Sequence, residues 1–443
     1  MNNTGILQVA EFEEISVGNS GSNKQLSVSQ AESLSLLSKQ VKESGVIDRD
    51  FFVWTGRNSI KMSHYVGVIQ VDGFQLEILP KVSLRTELNK IDYEESFISL
   101  MRMISYVYGS PRENDIELRL KQYDRLGFLD MLVLFYLLSL KRALNGGLHF
   151  RYEEQMSSMR YLAGKILIEQ QIHHSDKSIL LQQVFVHSAN NELMKYFKTT
   201  NSVLLRLVHN ATLRRSLSRI NHLFDDCGAI PRPLLKNMKF HFDRLNAHFK
   251  TPYEQSKLIL NGLLMTPNTA KGLEGIAVLF DMNKLFEKFF SEIMARNASI
   301  ILPQIFNPKI SVQEERLFLI DKPTPRTLKP DIVISCSNNG IKETIILDTK
   351  NKIVEEGRDE EIKVEKVHVS DLYQMFAYAT KYCATTSILV YPSTVRTDKV
   401  DAGSFDANRG LKLWTIQVFL KDDNWESTLV NDLRNLFDEI FNK

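Results

Sequence analysis

Cysteine is scarce in this chain. Its 443 residues include three, Cys227, Cys336 and Cys383, far apart and with no C-x-x-C pair. That argues against a disulfide framework or a structural zinc site and fits a reducing cytoplasm. The N-terminus, Met1-Asn2-Asn3-Thr4-Gly5, lacks the basic start and apolar core of a secretory signal. Long apolar runs are missing too. The longest, Met131 to Leu138, lies between Asp130 and Ser139, with Lys141-Arg142 just beyond. A bilayer span takes ~20 residues, so this run reads as a buried helix, and no membrane association is expected. Charge of one sign is not in excess: 55 Lys and Arg face 53 Asp and Glu, a formal net charge of +2. Any nucleic-acid surface must therefore be a local patch balanced by acidic surface elsewhere. No G-x-x-x-x-G-K-[ST] occurs, since Gly164-Lys165 is followed by Ile166, so hydrolysis of a nucleoside triphosphate by this chain alone is not expected. No G-x-S-x-G supports a serine hydrolase. His173-His174 has no partner at metal-ligand spacing and reads as loop surface. No fixed-period repeat or low-complexity tract is present.

What the chain does hold is the composition of a globular protein, 43% hydrophobic and 24% charged, at a length that implies two or three domains. Residues 1–90 read as a β-rich domain. Phe51 to Trp54 and Tyr65 to Val71 are aromatic and β-branched, and Asp72-Gly73 gives a hairpin signal into Phe74 to Leu79. One helix is expected there, Ser29 to Lys42, with Ser29 as its cap. Residues 91–265 read as mainly helical, with helical spacing over Glu95 to Tyr108, Leu129 to Leu144 and Asn191 to His209, and a stop at Gly146-Gly147. Within this region, positions 201–250 carry nine Arg and Lys against three Asp and no Glu. That excess suits either a phosphate-contacting surface or an ordinary solvated helix face.

Residues 266–443 alternate helix and strand: a helix over Leu279 to Arg296, strands over Arg316 to Ile320, Asp331 to Ile334 and Thr344 to Leu347, a helix over Ser370 to Tyr382, then strands over Ser387 to Tyr391 and Leu413 to Leu420. This order predicts an α/β layout with a mixed sheet flanked by helices. Two of its strands carry the candidate chemistry. Lys329-Pro330-Asp331 opens one apolar run and Asp348-Thr349-Lys350 closes another, with the turn formers Ser335 to Gly340 between them. A hairpin there brings Asp331 and Asp348 side by side. Two carboxylates so close repel unless a cation intervenes, and a hard ion such as Mg²⁺, held by one or two carboxylates and substrate phosphate oxygens, fits that need. Lys350, two residues past Asp348, shares its face of an extended strand and can offset charge on a phosphate under attack. Taken alone, each half is weak: Pro-Asp also starts turns, and D-x-K is a common tripeptide.

Together these residues resemble the PD-(D/E)xK nuclease superfamily. The resemblance implies Mg²⁺ held by Asp331, Asp348 and the Thr349 carbonyl, with Lys350 positioning the attacking water. It also implies an acidic residue from the opening helix, matched by Glu287 with Glu292 as fallback, although a surface ion pair is an equal reading of Glu287. A Gln on the helix after the D-x-K strand, sometimes with a Tyr, is matched by Gln374 and Tyr378, four apart on one helix face. The segment Val66 to Lys81, with Phe286-Glu287, Leu328 to Asp331, Leu347 to Lys352 and Asp371 to Tyr378, is further similar to McrC proteins, the nuclease subunits of McrBC-type restriction systems. That likeness implies a cytoplasmic Mg²⁺-dependent endonuclease acting on double-stranded, possibly modified DNA. It implies docking by residues ahead of the nuclease domain, the 1–90 domain among them, into an McrB-like AAA+ GTPase ring. It identifies no GTPase-stimulating residue; Arg57 is a loop arginine better read as solvent-facing. Two other readings remain open, a stand-alone repair or mobile-element nuclease and a non-cleaving activator or assembly subunit.

Overall fold

The computed structural model describes residues 6–18, 25–43, 45, 47–71, 74–81, 84–85, 90–91, 93–109, 127–264, 275–304, 307–313, 317–320, 326–338, 341–352, 367–393, 401–406, 411–420, 422 and 424–441. The chain divides into two compact units, one of residues 1–107 with 264–443, the other of residues 108–263.

The first unit opens with β1 (Ile6–Ala10), β2 (Glu14–Val17), β3 (Gln25–Leu26), α1 (Val28–Glu43), β4 (Phe52–Trp54), β5 (Ser59–Met62), β6 (Tyr65–Val71) and β7 (Phe74–Leu79). The short β8 (Leu84–Arg85) and β9 (Lys90–Ile91) pair before α2 (Tyr93–Tyr108). Helix α1 starts one residue earlier than Ser29 and its cap is Ser27. The Ser27 Oγ accepts from the Gln30 N–H at 3.2 Å, and the Gln30 side chain accepts from the Ser27 N–H at 2.9 Å. This reciprocal capping box satisfies two otherwise unpaired amides. The helix buries Ala31, Leu34, Leu37 and Val41, spaced three to four apart, against a core with Phe51, Ile60, Ile69 and Leu76.

The second unit contains α3 (Phe128–Leu144), β10 (Arg151–Met159), β11 (Lys165–Ile166), α4 (Ile168–His173), β12 (Leu180–Ser188), α5 (Glu192–Leu207), α6 (Ala211–His222) and α7 (Lys250–Gly262). Helix α3 contains the apolar run and is buried on nearly all sides. Its Asp130 accepts from the backbone N–H groups of His209 and Asn210 at 3.1 and 3.0 Å, which pairs a carboxylate that would otherwise be costly to bury. The helix ends at Leu144, and Gly147 takes φ +90° in the stop. A mainly helical reading of this region is incomplete: β10, β12 and β11 form a three-stranded antiparallel sheet. Its sequence signal is weak because most β10 side chains are partly or fully exposed, so no apolar alternation marks it.

Residues 264–443 return to the first unit. They follow the two-residue β13 (Leu263–Leu264) with β14 (Gly275–Asp281), α8 (Met282–Arg296), β15 (Lys309–Val312), β16 (Leu317–Ile320), β17 (Arg326–Leu328), β18 (Ile332–Asn338), β19 (Ile341–Thr349), α9 (Val369–Tyr382), β20 (Thr386–Ser393), β21 (Asp401–Asp406), β22 (Leu411–Phe419) and α10 (Trp425–Phe441). Residues 279–281, expected in a helix, belong to β14, which joins the N-terminal sheet in the order β1-β7-β6-β14-β13. Helix α8 begins only at Met282, where the Asp281 carboxylate accepts from the Asn283 and Lys284 N–H groups. Backbone approach at this junction is close: a Cβ on Gly67, at φ +143°, would lie 2.0 Å from the Val278 carbonyl oxygen.

A further sheet of the unit is six-stranded and mixed, in the order β15-β18-β19-β20-β22-β21. Strands β18 and β19 form the expected antiparallel hairpin, while β19–β20 and β20–β22 are parallel. Helix α9 makes the crossover a parallel pair requires and packs Met375 and Tyr378 on Ile346, Leu389 and Leu413. Ser335 to Asn338, expected in the turn, extend β18; Asn339 and Gly340 lie outside the described residues, as do Asp72 and Gly73. The architecture is a mixed α/β fold with several sheets.

Candidate active site

The hairpin sets the geometry. Ile332 pairs with Leu347, so one position further out Asp331 and Asp348 come opposite each other on one face of the sheet. The Asp331 Oδ2 accepts from the Thr349 backbone N–H and from its Oγ1–H, both at 2.6 Å. These bonds tie the end of β19 to the residue that opens β18. Asp348 is 2% exposed and ion-paired with Lys350. Burial pushes its carboxyl up to about 7, the Lys350 ammonium opposes that rise, and the Asp331 charge adds to it.

Lys350 is fixed from two sides. Its backbone N–H donates to the Val390 carbonyl at 2.8 Å, and its Nζ donates to Gln374 Oε1 at 2.8 Å. The Gln374 Nε2 donates in turn to the Tyr378 hydroxyl at 2.8 Å, and that hydroxyl donates to the Lys329 carbonyl at 3.1 Å. Residues four apart on α9 thus link the lysine after β19 to the backbone just ahead of Asp331.

Glu287, half-buried on α8, accepts from the Gln313 amide. Its carboxyl is held above the usual range, first by burial and further by the neighbouring Asp331 charge, with Gln313 acting the other way. The Gln313 backbone N–H donates to the Asp331 carbonyl at 2.8 Å. Glu292 instead pairs with Arg296 one turn along, at 3.1 Å. Asp331, Asp348, Thr349, Lys350, Glu287 and Gln374 therefore lie in one connected set, and Glu292 bonds elsewhere.

Three neighbours of this set carry no motif signal. Gln313 sits at φ +49°, where β15 ends. Lys352 donates to both Asp371 carboxylate oxygens at 2.9 and 3.0 Å, and Asp371 is 4% exposed. An aspartate in the first turn of α9 could have been suspected from its place three residues before a Gln, but its lysine partner could not.

Three carboxylates that raise or depend on one another's charge make a site suited to a hard cation. Among the described residues, no group of three or more His, Cys, Asp or Glu is arranged to enclose a metal ion by itself. A Mg²⁺ site that completes its shell with water and phosphate oxygens does not require one. The donor set of Asp331, Asp348 and the carbonyl of Thr349 is all oxygen, as that ion demands. Among the described residues, no helix is long and apolar enough to cross a membrane.

A family model described as the McrBC 5-methylcytosine restriction system component matches residues 60–392. The chain belongs to that family. A solved structure of McrB AAA+ hexamers with bound McrC from Thermococcus gammatolerans is similar over 98% of this chain and 100% of the matched one, at 23% identity and a TM-score of 0.73. A second, the McrBC complex of the same organism, covers 66% of this chain and 88% of the matched one at 25% identity and a TM-score of 0.52. No curated protein matches the sequence.

Proposed function

We propose that this chain is the endonuclease subunit of a McrBC-type restriction system, cleaving DNA phosphodiesters with Mg²⁺ at a PD-(D/E)xK centre. One observation carries the reading: Asp331 and Asp348 meet across a hairpin, and Lys350 is held between Asp348 and Gln374. Asp331, Asp348 and the Thr349 carbonyl would hold the ion. When bound, Mg²⁺ supplies a Lewis acid and lowers the pKa of a coordinated water.

The chain's own groups do the rest. The Thr349 N–H and hydroxyl fix the Asp331 carboxylate through one of its oxygens. The Lys350 ammonium is aimed by Gln374 and Tyr378, so it can orient the attacking water and offset charge as it develops on the phosphate. Glu287 adds a third carboxylate beside Asp331, suited to hold a water of the ion's outer shell. Exposed basic side chains Arg206, Arg215, Arg219, Lys239, Arg244 and Lys250 give the second unit a surface for the DNA backbone.

The partner in this reading is an AAA+ GTPase ring of McrB type; one of the similar solved structures contains McrB AAA+ hexamers with bound McrC. A surface for it is supported by the β10–β12 ribbon. Tyr152, Met156 and Phe185 share one face of that ribbon and are 72, 67 and 69% exposed, a costly apolar row unless another protein covers it.

The test combines the purified chain, the AAA+ protein, a nucleoside triphosphate, Mg²⁺ and duplex DNA. Cleavage is expected, together with its loss in Asp348→Asn and Lys350→Ala while stimulation of the partner's GTPase persists. Wild-type cleavage by either variant refutes the assignment. Cleavage without the AAA+ protein would favour a stand-alone nuclease.

A further inference from the structure

The N-terminal sheet sends one carboxylate to the catalytic segment. Glu11 follows β1 directly and is 4% exposed. Its backbone N–H donates to the Leu79 carbonyl at 2.9 Å, and its Oε1 accepts from the Lys81 N–H at 3.1 Å. Both ends of the residue are therefore fixed to the strand end of β7. The second carboxylate oxygen, Oε2, is buried and receives no close hydrogen bond. Asn351 is the residue after Lys350, and its Nδ2 is also buried with no close acceptor. The two side chains act on each other, the amide favouring the charged carboxyl.

A buried donor and a buried acceptor that each lack another partner, and that lie against each other, are costly apart and compensate each other together. The position of Asn351 matters because its neighbours are committed. The Lys350 N–H is bound to Val390 and the Lys352 N–H to the Lys350 carbonyl at 2.9 Å. The Lys352 ammonium is bound to Asp371. A shift of Asn351 therefore moves Lys350 on one side and Lys352 on the other.

We propose that Glu11 is a positioning residue for the nuclease centre: it grips the Asn351 side chain and so fixes Lys350 relative to Asp348. The clamp makes the seating of Lys350 depend on the sheet that holds β1, and Glu11 lies some 340 residues from Asn351 in sequence. The inference rests on the nuclease reading for its consequence, whereas the clamp rests on two buried, otherwise unpartnered polar groups that act on each other.

The experiment uses isosteric variants, which open no cavity. Asn351→Asp sets a second carboxyl against Glu11 and should push the segment out. Glu11→Gln combined with Asn351→Asp exchanges amide and carboxyl and should restore it. Two readouts are taken on the full chain. Hydrogen exchange by mass spectrometry follows the peptide covering residues 349–352, without DNA or metal. DNA cleavage is measured with the AAA+ partner, alongside stimulation of its GTPase. Asn351→Asp is expected to speed exchange in that peptide about tenfold and to slow cleavage about ten- to a hundredfold, with GTPase stimulation unchanged. The double variant should return both towards wild type. Unchanged exchange in Asn351→Asp, or no recovery in the double variant, overturns the clamp. A chain that never cleaves DNA but shows the exchange pattern keeps the clamp and refutes the nuclease reading.

Discussion

Replacing Glu11 by glutamine removes one titrating group while keeping the shape of the side chain. In the native protein burial raises the Glu11 carboxyl from 4.5 to about 7, against smaller opposing effects of Lys81 and the Asn351 amide. A raised acid binds its proton more tightly folded than unfolded. Its contribution to stability is therefore complete below about pH 4.5, is lost as pH rises through about 7, and is flat above that. At ~1.4 kcal/mol per pH unit, the loss across that window is about 3 kcal/mol. Glu11→Gln should abolish it. Other groups titrate in the same range, Asp348 among them, so the informative quantity is the variant-minus-wild-type difference at each pH. Thermal unfolding followed by fluorescence between about pH 5 and about pH 8 should show the variant gaining on wild type as pH rises. A difference that stays constant across that range, or that moves the other way, refutes the placement of Glu11 in a desolvated site.

Three further outcomes are expected. Gly67→Ala drives a Cβ into the Val278 carbonyl at a backbone φ that L-residues avoid, so unfolding measurements should show a loss of at least about 3 kcal/mol, and a neutral result would contradict the β6–β14 register. Gln374→Leu frees the Lys350 ammonium from Gln374 and leaves it the Asp348 ion pair; cleavage should fall about tenfold or more while thermal stability changes little. Tyr152→Ser with Phe185→Ser on the β10–β12 ribbon should weaken co-elution with the AAA+ partner without lowering the melting temperature, since both side chains are exposed; undiminished binding would remove that face as a contact surface.

The readable parts of this chain were those whose signals are local. The Asp331–Asp348 hairpin announced itself through two apolar runs and a cluster of turn formers, and the structure pairs them in the expected register. Helix α3 was legible because eight consecutive apolar residues bounded by charges are a buried helix in a chain with no membrane signal. Gln374 and Tyr378 were singled out by the resemblance to the nuclease superfamily, their i, i+4 spacing put them on one helix face, and they do meet. The β10–β12 ribbon was missed because most of its side chains face solvent and show no buried alternation. Strand β14 was absorbed into the following helix because Ile276 to Phe280 runs straight into the apolar spacing of α8, and only the Asp281 cap marks the change. Lys352–Asp371 and Glu11–Asn351 were out of reach for a different reason: neither residue of either pair carries a motif that names its partner, and only the folded chain brings them together.

The late arrival of β14 has a consequence for how the protein is made. This strand lies inside the first sheet, hydrogen-bonded to β6, yet it is encoded some 200 residues after it. During synthesis the stretch 108–263 leaves the ribosome as a continuous piece and can consolidate early, whereas the sheet that precedes it waits with one edge of β6 unpaired. Nascent chains arrested before residue 281 should thus display an open, apolar strand border, the kind of surface that recruits chaperones or aggregates.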